Sequence, residues 1–310
     1  MLNSKILIMK IIINILRPAT LLSIFIIYCV IGCTKNEDFS DAIASEKPDF
    51  ELIGLKHNEG LDFIYESIKN YQRSNSEMTL RNAKIYNIYD VVEDASIAFV
   101  MDLDNELEKD KLLEVTNRIF PKTMLRSVET PDVITINSDN HDFLTENQKY
   151  YQAKFEKILL SFKDEAKKGP KNIDIEKIIR QLTKLDLEIQ SKCTNEESIP
   201  LLAATSIGIH SLQYWNDNLY KWSALIIADV NPNHFTPILK SGSEDTIDNE
   251  WQWFVDTLIS MGQDDAIGGL IGAGALVGGV GAVPGAISGA CYSSAGSGIK
   301  SLLQRWGIFS

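Results

Sequence analysis

Between residues 266 and 299 the chain carries no charged side chain, 34 positions in succession, and eleven of its 19 glycines fall there. Nothing else in the sequence limits the fold as strongly. Gly281, Gly285 and Gly289 lie four residues apart, Ser293 continues the row, and Gly268/Gly272 and Gly274/Gly278 repeat the step. On a helix this spacing makes a stripe without side chains, along which a second backbone can come close. In water, each glycine inside a helix costs up to about 1 kcal/mol relative to alanine. Helices of this kind need another reason to form: burial within a fold, self-association or lipid.

Length bears on the lipid option. Residues 266–283 would make a helix of about 27 Å, close to the roughly 30 Å of a hydrocarbon core, with Pro284 turning the chain into a second helix. Trp251, Trp253 and Trp306 flank the segment as an interfacial aromatic belt would. Against this, residues 266–283 hold only seven large aliphatics, and residues 285–299 have only Ile287, Tyr292 and Ile299 as large apolar groups. The segment resembles glycine-zipper helices of bacterial outer-membrane lipoproteins and the Gly-rich helices of two-peptide bacteriocins. That resemblance implies close helix packing through Gly281, Gly285 and Gly289. Two readings stand: a hairpin that associates with membrane or with itself, and a hairpin packed against the body.

The first 32 residues contain Lys5, Lys10 and Arg17 and no acid, followed by an apolar run from Leu21 to Ile31, then Gly32 and Cys33. This is the layout of a secretory signal, and about 14 residues between Arg17 and Gly32 is short for a spanning helix. Val30-Ile31-Gly32-Cys33 resembles the lipobox of bacterial lipoproteins, with Val where Leu is more usual. The resemblance implies a diacylated Cys33, cleavage just before it and attachment to an envelope membrane. Thr34-Lys35-Asn36-Glu37-Asp38 looks like the acidic surface-export leader of one group of Gram-negative bacteria, interrupted by Asn36. It points to the outer membrane with the body exposed. Residues 33–56 read as a polar tether.

From residue 57 to 240 helical periodicity dominates. Leu144, Tyr151, Phe155, Ile158, Leu159, Phe162 and Ala166 share one face of a helix that Ser138 or Asp139 would cap. Ile175, Ile178, Ile179, Leu182, Leu185 and Ile189 repeat the pattern. A third helix from about residue 198 to 227 carries Pro200 in its first turn and Trp215 and Trp222 on one face. Residues 91–100 fit strand or buried helix, and residues 131–136 fit a strand or an extended linker. The expected architecture is mostly α: a helical bundle over residues 57–240 and a Gly-rich hairpin over residues 241–310.

Charge excludes one class of function. The net charge is −12, and without the three cations of the leader the remainder is more acidic still, so a nucleic-acid partner is not expected. The four histidines, His57, His141, His210 and His234, make no metal-binding pair. Ser138-Asp139-Asn140-His141-Asp142 gathers ligand types, but a helix cap accounts for it. Residues 102–108 alternate acids like a calcium loop, yet Leu107 and Leu113 stand where that loop needs Gly and Glu. Ser297-Gly298-Ile299-Lys300 matches Ser-x-x-Lys, but its companion Ser138-Asp139-Asn140 comes in reversed order and no Lys-Thr-Gly follows, and Ile299 splits the Gly-Lys pair of a phosphate loop. No catalytic residue, metal or cofactor is therefore expected. Cys193 and Cys291 remain after the leader; an oxidising compartment would permit a bridge, and two buried free thiols are the other reading. The expected molecule is a non-enzymatic, lipid-tethered envelope protein, its partner the membrane, with self-association or a second membrane contact through the hairpin and, in its sharpest form, a membrane-perturbing, toxin-like role. The alternative is a soluble helical binding or structural module on the same tether, with the hairpin packed into the fold.

Overall fold

The structure is a computed structural model that describes residues 48–74, 81–104, 108–119, 144–166, 174–230, 244–275 and 281–305. These residues form eight α-helices and no strand: α1 (Phe50–Ser74), α2 (Arg81–Leu103), α3 (Lys109–Ile119), α4 (Glu146–Ala166), α5 (Ile175–Lys192), α6 (Asn195–Val230), α7 (Glu244–Ala275) and α8 (Ala282–Arg305). The ambiguous run at residues 91–100 is helix, inside α2. Cys33, the leader, the Ser138–Asp142 cluster and residues 131–136 lie outside the described residues.

Local chemistry sets the helix starts. Thr145 caps α4 by a reciprocal pair, Gln148 N–H to Thr145 Oγ1 at 3.2 Å and Thr145 N–H to Gln148 Oε1 at 3.0 Å. The cap is therefore Thr145, with Gln148 closing the box, and not Ser138 or Asp139. Asp174 caps α5 by accepting from Lys177 N–H at 3.1 Å. Thr194 and Glu197 form a looser box at the head of α6. That cap starts α6 three residues earlier than its proline suggests, so Pro200 falls inside the helix. There it forgoes one hydrogen bond, to the Glu196 carbonyl.

The amphipathic helices turn their apolar faces inward: Ile178, Leu182, Leu185 and Ile189 of α5 are buried, as are Ile53, Leu61, Ile64 and Ile68 of α1. α8 is different. Every residue from Val283 to Ile299 is buried. It packs on α7, α6, α1, α2 and α3, and so occupies the centre of the bundle. Residues 47–310 form one compact unit, which moves two expected boundaries. Residues 50–56, expected to belong to a tether, are instead the opening turns of α1. The hairpin is also no separate domain, because α8 supplies the core that the other helices cover.

The break within the glycine-rich segment also differs from expectation. α7 runs on from Glu244 to Ala275, and Pro284 sits in the first turn of α8, where its missing N–H costs nothing. Among the described residues no helix is long and apolar enough to cross a membrane.

Candidate functional site

The glycine stripe works within the chain, between α7 and α8. A β-carbon on Gly268 would lie 2.7 Å from the Gly289 carbonyl oxygen, and one on Gly289 would strike the Gly268 carbonyl. A β-carbon on Gly272 would collide with the Gly285 carbonyl. Backbone therefore meets backbone at two levels, Gly268 with Gly289 and Gly272 with Gly285. Gly281 plays another part: its carbonyl accepts the Gly285 N–H at 2.9 Å in the opening turn of α8.

This close approach brings together a polar cluster that the sequence motifs did not single out. Asp265 of α7 is fully buried. Its Oδ2 accepts hydrogen bonds from Ser211 Oγ of α6 and from Ser294 Oγ of α8, the latter at 2.7 Å. Trp215 Nε1 donates to the same Ser294 Oγ at 2.8 Å. His57 of α1, also fully buried, places Nε2 3.6 Å from Asp265 Oδ2. His57 Nδ1 lies 3.0 Å from Asn58 Oδ1, and Asn58 Nδ2 donates to the His210 carbonyl at 3.2 Å. Cys291 Sγ points at the His57 carbonyl, 3.4 Å away. Next to this cluster, Ser293 Oγ donates to the Asp264 carbonyl at 2.8 Å.

Burial dominates the electrostatics. It pushes the Asp265 carboxyl well above the usual carboxylate range, against the Ser211 and Ser294 hydroxyls and with the help of neighbouring Asp264. Asp264 is raised to about 7 by burial, opposed by Ser297, Lys300 and Ser260. Burial lowers His57 to about 4, partly offset by Asn58 and reinforced by His210. The Cys291 thiol is raised by burial and by Asp265. His57 Nε2, Asp265 Oδ1 and Ser288 Oγ have no hydrogen-bond partner.

Chemically the cluster is a fastener. Both serines address the carboxylate and not the imidazole, and His57 Nδ1 is engaged by Asn58, so no nucleophile–base pair forms. Among the described residues no group of three or more His, Cys, Asp or Glu side chains is placed to hold a metal ion. A small apolar cleft of about 20 Å³ lies elsewhere, lined by Tyr151, Phe155, Leu201, Thr205, Ala266 and Leu270.

Cys193 and Cys291 are both free thiols. Cys193 ends α5, half-buried, with its N–H on the Ile189 carbonyl at 2.9 Å, whereas Cys291 lies inside α8. Of the residues singled out from sequence, Gly285, Gly289 and Cys291 gather around the α7–α8 crossing. Asp265 and Ser211 were not marked by any motif. The signal that could have found Asp265 is a pair of acids, Asp264-Asp265, adjoining a long charge-free run. No family model, no curated protein and no solved structure matches this chain.

Proposed function

We propose that the chain is a bacterial cell-envelope lipoprotein, anchored through Cys33, whose helical head is a non-enzymatic binding or structural module built around its own glycine-zipper hairpin. The observation that carries this reading is the burial of α8: the helix that would have to meet lipid or a second copy, apolar and without charge as far as Ile299, is packed against five other helices. In that position the glycines need no membrane to account for them, since the α7–α8 contact and the surrounding helices offset their cost. The lipobox-like Val30-Ile31-Gly32-Cys33 supports the anchor. Two or three acyl chains hold a protein on a bilayer at about 0.8 kcal/mol per buried CH₂.

The test uses the full chain expressed in a bacterium fed a clickable fatty acid, beside a Cys33→Ser variant. Label on the first and none on the second supports the anchor; equal label on both removes it. The same proteins are then mixed with dye-loaded liposomes. Intact vesicles are expected from the Cys33→Ser protein, whereas leakage abolished by Gly285→Leu would transfer the hairpin to a membrane-active role.

A further inference from the structure

Four helices converge on the Asp265 carboxyl, and the hydrogen bonds around it decide where a proton must sit. Asn58 Nδ2 donates to the His210 carbonyl, which turns Asn58 Oδ1 toward His57. An amide oxygen only accepts, so His57 Nδ1 carries a proton. A neutral His57 then presents Nε2 as a bare lone pair, facing Asp265 Oδ2 at 3.6 Å. An ionised carboxylate is also purely an acceptor. Two acceptors facing each other, both without exposure to solvent, repel each other, and a proton on one of them relieves that repulsion.

That proton belongs either to an imidazolium–carboxylate pair or to a neutral imidazole–carboxylic acid pair. The surroundings favour the neutral one. A buried ion pair repays its desolvation only when its remaining lone pairs are satisfied, and Asp265 Oδ1 has no donor. The charged or titratable groups around the junction come from each helix packed on it. α1 brings His57 itself and Lys56, the latter paired with Glu59 at 2.7 Å. α6 brings His210, whose Nε2 meets Glu51 of α1 at 3.2 Å. α7 brings Asp264 beside Asp265, and α8 brings Cys291 and, toward Asp264, Lys300. Asp264 opposes a negative Asp265, and His210 opposes a positive His57.

We propose that Asp265 is a carboxylic acid in the folded head at neutral pH, facing a neutral His57, so that closing the four-helix junction takes up a proton and raising the pH loosens it. The head is thereby a proton-linked fold, tightened on the acid side of neutrality.

The test uses the full chain in detergent and an Asp265→Asn variant, whose amide reproduces the shape and the donor of a protonated acid. At pH 7 the variant is expected to fold at least as well as the parent. Between pH 5 and 8 its folding equilibrium constant should vary up to about tenfold less per pH unit, the weight of one proton. A variant with undiminished pH dependence overturns the proposal, as does one that is unfolded at pH 7 while Asp265→Glu folds. Independently of either variant, ¹⁵N spectra of the parent at pH 7 should show His57 as a neutral imidazole protonated at Nδ1. An imidazolium there overturns the proposal outright.

Discussion

The Gly285 carbonyl occupies the place a β-carbon on Gly272 would need, so the crossing of α7 and α8 is fixed by main chain against main chain. A carbonyl cannot rotate aside as a side chain can, and the crossing admits no substituent at this level.

Gly272→Ala should therefore destabilise the head by about 3 kcal/mol or more, at the upper end of overpacking costs. Gly262→Ala is the comparison: its β-carbon would press on the Leu212 side chain, 2.9 Å away, which can shift, and would make an ordinary contact with Leu159 at 3.8 Å. Denaturant midpoints of the two variants check this, and equal losses would contradict it.

Trp215→Phe should cost about 1–3 kcal/mol. It removes the indole donor from Ser294 Oγ inside a dry network that also holds Asp265. Thermal unfolding followed by circular dichroism measures it, and a loss below about 0.5 kcal/mol would mean the bond is dispensable.

Stability should be highest at mildly acidic pH. Asp186, where burial outweighs the Thr205 hydrogen bond, and Asp264 are each raised from 3.8 to about 7. Groups raised in this way stabilise the fold below their unfolded value and lose that contribution as pH rises through the folded one, here between about 4 and 7. His57, lowered from 6.5 to about 4, acts oppositely: its contribution is present above 6.5 and lost as pH falls through 4. Two carboxyls, joined by Asp265, outweigh one imidazole. Urea midpoints should fall from pH 5 to pH 8; a steady rise would refute the balance.

Cys193 should react with a maleimide in the native protein before Cys291 does, because Cys193 is half-buried while Cys291 is enclosed in α8. Peptide mapping by mass spectrometry locates the label. Recovery of a Cys193–Cys291 disulfide peptide from unreduced protein would show instead that the two helices come together.

The helical class could be read from the sequence because burial of one helix face leaves a period in the residues, as Ile178, Leu182, Leu185 and Ile189 do. α8 left no such period. A helix covered on all sides has no polar face, so Val283–Ile299 looks the same whether protein or lipid surrounds it. The start of α1 was hidden because Phe50–Gly60 mixes Glu51, Lys56, His57 and Glu59 with its apolar residues. Buried Lys56 and His57 there look like the polar positions of a tether. Asp265 was illegible for a related reason. Its partners come from α1, α6 and α8, and only the fold brings Ser211 within reach of a residue 54 positions later.

The helix that fills the centre is the last of the eight to be made. α1, α2, α3, α6 and α7 emerge first, each with a face meant for α8, and none of those faces can close until α8 arrives. Contacts spanning so much of the chain close slowly, since loop entropy must be met before they form. Completion of the core thus waits until residues 282–305 have been made. On the proposed reading of an exported lipoprotein, that delay leaves the earlier helices without the piece that would lock them into a globule before the chain crosses the membrane.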